Sequence, residues 1–191
     1  MKTFWKYIAI MTVAFMADFF SKMALLRFLM ANHRIAERVN IYDIDKICAT
    51  CDIEGIFVSW KYILGNDYGI SNLFNIQFVW NRGISFSALN SVMPIILVCI
   101  SAIIIGYLFY YLFWKACSYE KVPIAMIIGG ALGNLIDRIR FGAVIDFIQW
   151  HIGGWWTFPA IFNIGDMFIT FGVIIYLINL FINRKFCVCK K

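Results

Sequence analysis

Four aspartates, Asp18, Asp137, Asp146 and Asp166, lie in or beside long apolar runs of this chain. An ionisable side chain in such a run is costly, and it marks either a function or a buried pair. Carboxyls held in pairs can do acid–base chemistry. Two of them close together share one proton; the ionised member activates water and the neutral member polarises a carbonyl. The densest polar stretch, "GNLIDRIRFGAVIDF" at 133–147, holds Asp137 and Asp146 nine residues apart. On one straight helix that spacing puts them on opposite faces, about 13 Å apart along the axis, so they are not a pair there. Gly142 is the expected break between them. Asp146 has Ile145 and Phe147 beside it and no basic residue at i±3 or i±4, and Asp166 in "FNIGD" also lacks a basic neighbour. Asp18, by contrast, has Lys22 at i+4, and Asn134 lies three residues before Asp137 and four before Arg138. Such neighbours can pair along one helix, which makes Asp18, Lys22 and Asp137 structural near a site. Asp146 and Asp166 come from different elements and are the candidate dyad.

The elements that must position them are membrane helices. The 191 residues are 62% hydrophobic and 15% charged, with a mean hydropathy of +0.78, which excludes an ordinary soluble composition. The net charge of +6 has no continuous basic stripe behind it, so no nucleic-acid partner is expected. Four spans of about 20 residues are predicted, at about 4–28, 94–114, 122–139 and 162–182, with Pro123 in the first turn of the third. A cleaved leader is the competing reading of the N-terminus. Asp18 interrupts its apolar run, and no A-x-A site follows.

Lys2, Lys6, Lys115, Lys121, Arg184, Lys185, Lys190 and Lys191 all fall on one side of a four-span chain. That side is the expected cytoplasmic one, with both termini inside. The four aspartates then collect near the outer membrane face. In 56–90, Phe74, Ile76, Phe78 and Trp80 alternate with polar residues and Gly83 offers a turn before "ISFS". This predicts a small sheet on the outer surface, preceded by an irregular insertion over 31–55. Trp150, Trp155 and Trp156 suit the headgroup level, with Gly153–Gly154 as an alternative lid hinge. The fold class is a membrane all-α bundle of four helices with a small extracytoplasmic β-sheet, one domain over 1–191. Cys48 and Cys51 form one C-x-x-C with no second pair, so no metal site is expected. A transporter would also use paired membrane acids, but four spans without a repeat argue against it. A lipid-binding or assembly protein would not explain Asp146 together with Asp166.

In these motifs the chain resembles the lipoprotein signal peptidases, the type II bacterial signal peptidases. Four blocks carry the resemblance: Asp18, Ser21 and Lys22 in "ADFFSK"; "NRGISFS"; "GGALGNLIDRIRFGAVIDF"; and "FNIGD". The resemblance implies an aspartic endopeptidase of the bacterial inner membrane, without a cofactor. It would cleave prolipoproteins just before a diacylglyceryl-modified cysteine. By motif the dyad is Asp146 and Asp166. Asn163 and Asn134 would orient the site, Arg138 and Asn81 would contact the substrate backbone beside Gly83, and Asp18 would serve stability. The implied partners are lipid-modified prolipoproteins and membrane lipids, with a monomer expected. Gly165 stands where the family usually has alanine. Its lower helix propensity, roughly 1 kcal/mol, would loosen Asp166.

Overall fold

The computed structural model describes residues 2–31, 74–81, 83, 93–152 and 156–183. The insertion beyond Ala31, the Cys48–Cys51 pair, "ISFS", Gly153–Gly154 with Trp155, and the basic tail with Cys187 and Cys189 lie outside the described residues. Among the described residues there are four helices: α1 (Lys2–Ala31), α2 (Met93–Trp114), α3 (Lys121–Phe141) and α4 (Ile164–Asn183). Each contains a segment long and apolar enough to cross a membrane, because 20 residues at 1.5 Å reach about 30 Å. Three strands complete the described fold: β1 (Phe74–Asn81), β2 (Val144–Ile152) and β3 (Trp156–Phe162). The chain divides into two compact units.

One unit holds residues 1–20, 95–136 and 164–191. Its core is built from Tyr7, Met11, Ile105, Leu112, Ala116, Ile124, Ala125 and Ile128. α3 is the helix that others pack on: half of its apolar window is buried, against 22% or less for the other three helices. The reason lies in "GGALG". A Cβ on Gly129 would sit 2.6 Å from the Met11 carbonyl oxygen and from the Ala14 side chain. One on Gly130 would strike the carbonyl of Gly165, and one on Gly133 would strike the carboxylate of Asp18. Gly172 on α4 returns the approach, against Ile127 and the Pro123 carbonyl. Small residues thus bring three backbones together, the usual device for association where lipid removes the hydrophobic drive.

The link from α2 to α3 is closed by Glu120. Its carbonyl accepts the Ile124 N–H at 3.1 Å, and its carboxylate accepts the Cys117 N–H at 2.6 Å. The hydroxyls of Tyr111 and Tyr176 donate to the same carboxylate at 3.3 and 3.5 Å. A buried acid at this helix start therefore answers otherwise unfilled backbone and side-chain donors.

The other unit holds residues 21–94 and 137–163. Its sheet has the order β1-β2-β3, antiparallel throughout. Asn81 pairs with Val144 and Val79 with Asp146, and the register shifts between Ile76 and Val79. α3 ends at Phe141 because Gly142 takes φ +68°, with its N–H on the Arg138 carbonyl at 3.0 Å. That left-handed cap turns the chain straight into β2. The described residues of the Trp-rich stretch after Gly142 thus lie in two paired antiparallel strands, β2 and β3. Its Val, Ile, Phe and Trp content suits a pleated surface, but with polar and apolar residues mixed on both faces of β2 it lacks a clean period-2 signal.

These glycines make a differential test. Gly133→Ala is expected to lower stability by about 1–3 kcal/mol through overpacking against Asp18. Gly106, whose Cβ would meet nothing within 4 Å, should accept alanine without loss. Thermal unfolding of both variants in detergent checks this; equal midpoints would refute the packing account.

Candidate active site

Asp146 sits in β2, only 2% exposed, between the buried side chains of Ile145 and Phe147. Its two carboxylate oxygens take two asparagine amides. Oδ1 accepts from Asn163 Nδ2 at 2.6 Å, and Oδ2 accepts from Asn81 Nδ2 at 2.8 Å. Asn81 ends β1, and its own Oδ1 accepts the N–H of Gly83 at 2.8 Å. Gly83 can make that turn because it adopts φ 91°. With the carbonyl end of Asn81 engaged by a backbone N–H, its NH2 end is the one that faces Asp146. Sequence reasoning saw Asn81 and Gly83 as a motif but not this relay, which depends on the β1–β2 register.

Asp137 lies near the end of α3 and is 3% exposed. Its Oδ2 meets the ammonium of Lys22 at 2.8 Å and the N–H of Ile145 at 3.3 Å. Lys22 is itself fully buried. The helix-neighbour spacing of Asn134, Asp137 and Arg138 suggested partners along α3; the partners of Asp137 come instead from α1 and β2. Lys22 likewise reaches Asp137 on α3, a partner that its i,i+4 spacing to Asp18 did not reveal. Arg138 follows on α3, half-buried, and Arg140 lies over the Phe141 ring, 4.9 Å from its centroid. Trp80 packs edge-on against the same ring at 5.4 Å.

In the first unit, Asp166 lies in the first turn of α4, where a negative side chain suits the helix dipole. Its Oδ1 accepts from Asn134 Nδ2 at 2.8 Å. The residue before it, Gly165, donates its N–H to Asp18 Oδ1 at 2.7 Å, and Asp18 is fully buried. A carboxylate from α1 therefore fills one of the N–H groups that a helix start leaves open. Asn163 immediately precedes Ile164, the first residue of α4, in the position where asparagine is favoured. It is fully buried.

The family model described as signal peptidase (SPase) II, Peptidase_A8, matches residues 10–182. The chain belongs to the signal peptidase II family. It is thus a peptidase-family member and a multi-pass protein of the bacterial inner membrane. The lipoprotein signal peptidase of Anaplasma phagocytophilum (strain HZ) is 37% identical over 141 residues, covering 73% of this chain and 89% of that protein. That of Bartonella bacilliformis (strain ATCC 35685 / KC583 / Herrer 020/F12,63) is 40% identical over 139 residues, covering 71% and 79%. A solved structure described as a bacterial membrane enzyme, obtained by the in meso method at 1.9 Å, matches with a TM-score of 0.62. It is 28% identical, with 92% of each chain covered.

In this signal peptidase II family member, the Lys22–Asp137 pair is a cation–carboxylate contact with both partners buried. Removing one partner leaves a buried charge uncompensated, at about 3–5 kcal/mol. Lys22→Met is expected to lower the unfolding midpoint in detergent accordingly, and Lys22→Met/Asp137→Leu to recover most of it. A double variant as unstable as the single one would refute the charge-pair account.

Proposed function

We propose that this chain is an aspartic endopeptidase that removes the signal peptide from diacylglyceryl-modified prolipoproteins. Cleavage falls just before the lipidated cysteine, and Asp146 with Asp166 forms the dyad. The observation that carries the reading is Asp146 itself, 2% exposed with each oxygen held by an asparagine amide. Asparagine orients a carboxyl without adding a charge to it. Asp166 has the same kind of holder in Asn134. Asp137, paired with a lysine, and Asp18, accepting a backbone N–H, are suited to structural work.

In the proposed reaction one carboxylate of the dyad takes a proton from water as the oxygen attacks the scissile carbonyl. The other, protonated, donates a hydrogen bond to the developing oxyanion. The tetrahedral intermediate collapses as the leaving nitrogen receives a proton from the dyad, giving a new carboxylate and a free amine on the lipidated cysteine. Asn163, Asn134 and Asn81 orient the acids, and Arg138 contacts the substrate backbone. Asn81 is assigned to orientation because its amide is engaged by Asp146 and Gly83. The substrate's diacyl chains remain in lipid, which keeps the scissile bond at headgroup level near the outer face.

Asp146→Asn and Asp166→Asn, each checked for folding, should lower processing of a diacylglyceryl-modified prolipoprotein by at least about a thousandfold. Wild-type cleavage by either variant would remove it from the dyad. From the charge pattern of the loops we also propose that both termini are cytoplasmic. A fluorescent protein fused after Lys191 should fluoresce and an alkaline phosphatase fused there should be inactive; the reverse result would invert the topology.

A further inference from the structure

We infer that Asp137, locked by Lys22, is a positioning residue for Asp146, acting through the backbone N–H of Ile145. The inference rests on the proposed role of Asp146. Within the second unit the chain of contacts is continuous. The Lys22 ammonium on α1 holds Asp137 Oδ2 at 2.8 Å, and the same oxygen accepts the Ile145 N–H at 3.3 Å. Asp146 is the next residue. All four residues are at most 3% exposed, so water does not compete for these contacts.

The sheet explains why an outside acceptor is used at this point. The β2–β3 ladder reaches Ile148 opposite Phe162, where β3 ends. It does not extend to Ile145. On its other side β2 pairs with β1, Trp80 lying opposite Ile145, yet the Ile145 N–H is given to Asp137. The peptide just before Asp146 is therefore fixed by a charge-assisted bond on the edge that the third strand leaves open. The asparagine amides fix the carboxyl end of Asp146; Asp137 fixes its backbone end. The other unit repeats the arrangement, with Asp18 accepting the N–H of Gly165, the residue just before Asp166.

A charge-pair role and a positioning role are separated by two neutral double variants of the full chain. Lys22→Met/Asp137→Asn removes both charges and keeps an oxygen that can accept the Ile145 N–H. Lys22→Met/Asp137→Leu removes the charges and the acceptor. Both are assayed on a diacylglyceryl-modified prolipoprotein, with unfolding midpoints measured in the same detergent and Asp146→Asn as control. The expected result is that the asparagine variant recovers most of kcat. The leucine variant, folded, should lose about ten- to a hundredfold in kcat with KM little changed, the size of effect that small misplacements cause. Equal kcat in the two folded double variants would overturn the inference, because a structural pair alone would move only the midpoint.

Should the leucine variant not fold, Asp137→Glu replaces it. That substitution keeps the charge and moves the acceptor by one methylene; a lower kcat at unchanged KM supports positioning, and wild-type kcat overturns it. Cleavage by Asp146→Asn at the wild-type rate would sink the dyad reading and this inference with it. An inactive Asp146→Asn beside a fully active leucine variant would overturn the inference alone.

Discussion

A carboxylate buried in an apolar protein is cut off from bulk water, so the donors that hold it must come from the chain itself. Three of the four aspartates in or beside the apolar runs, Asp18, Asp137 and Asp146, are at most 3% exposed. Each is answered differently: Asp18 by a helix-start N–H, Asp137 by a lysine and a strand N–H, Asp146 by two asparagine amides. The kind of donor matters as much as its presence. A lysine compensates the charge of the carboxylate it meets. An amide fixes direction and leaves the net charge of the group to be set by what else arrives. Chemistry that moves a proton on and off a carboxyl is compatible with the second kind of holder.

Meeting that demand shapes the backbone around it. Gly133 must lack a side chain because Asp18 occupies the space where one would be. Gly142 must take φ +68° so that α3 can stop at Phe141 and β2 can carry Asp146 within five residues of the helix end. Gly83 must take a positive φ so that its N–H reaches the Asn81 carbonyl and turns the amide toward Asp146. These positions sit where polar satisfaction and close backbone approach coincide.

Much of this is legible in the sequence. Four spans follow from apolar runs of about 20 residues, and the break between Asp137 and Asp146 follows from the glycine at 142, a residue suited to ending a helix. β1 follows from its alternation. The partners were less legible. Spacing along one helix suggested Asn134 and Arg138 beside Asp137, yet its contacts come from Lys22, far away in the chain, and from Ile145 beyond a chain reversal. Helical periodicity reports which residues share a face; it carries no information on which distant donor a buried acid will find. The β2–β3 hairpin was hidden for a related reason. Its tryptophans fit a headgroup belt as well as a strand, and its faces do not alternate cleanly enough to decide between them.

The glycine at 165 shows how far local propensity can mislead. Judged as a helix-interior residue it would cost roughly 1 kcal/mol against alanine and let Asp166 loosen. But Gly165 is in the first turn of α4, where its N–H has no intrahelical acceptor and is taken by Asp18 at 2.7 Å. Its carbonyl lies in the space that a side chain on Gly130 would need. One end of the residue is thus held from α1 and the other is in contact with α3, while Asn134 on α3 holds the Asp166 carboxyl. A residue anchored through its backbone on two sides depends little on its own dihedral preference. The order of Asp166 then rests on the buried carboxylate of Asp18 more than on the residue type at 165.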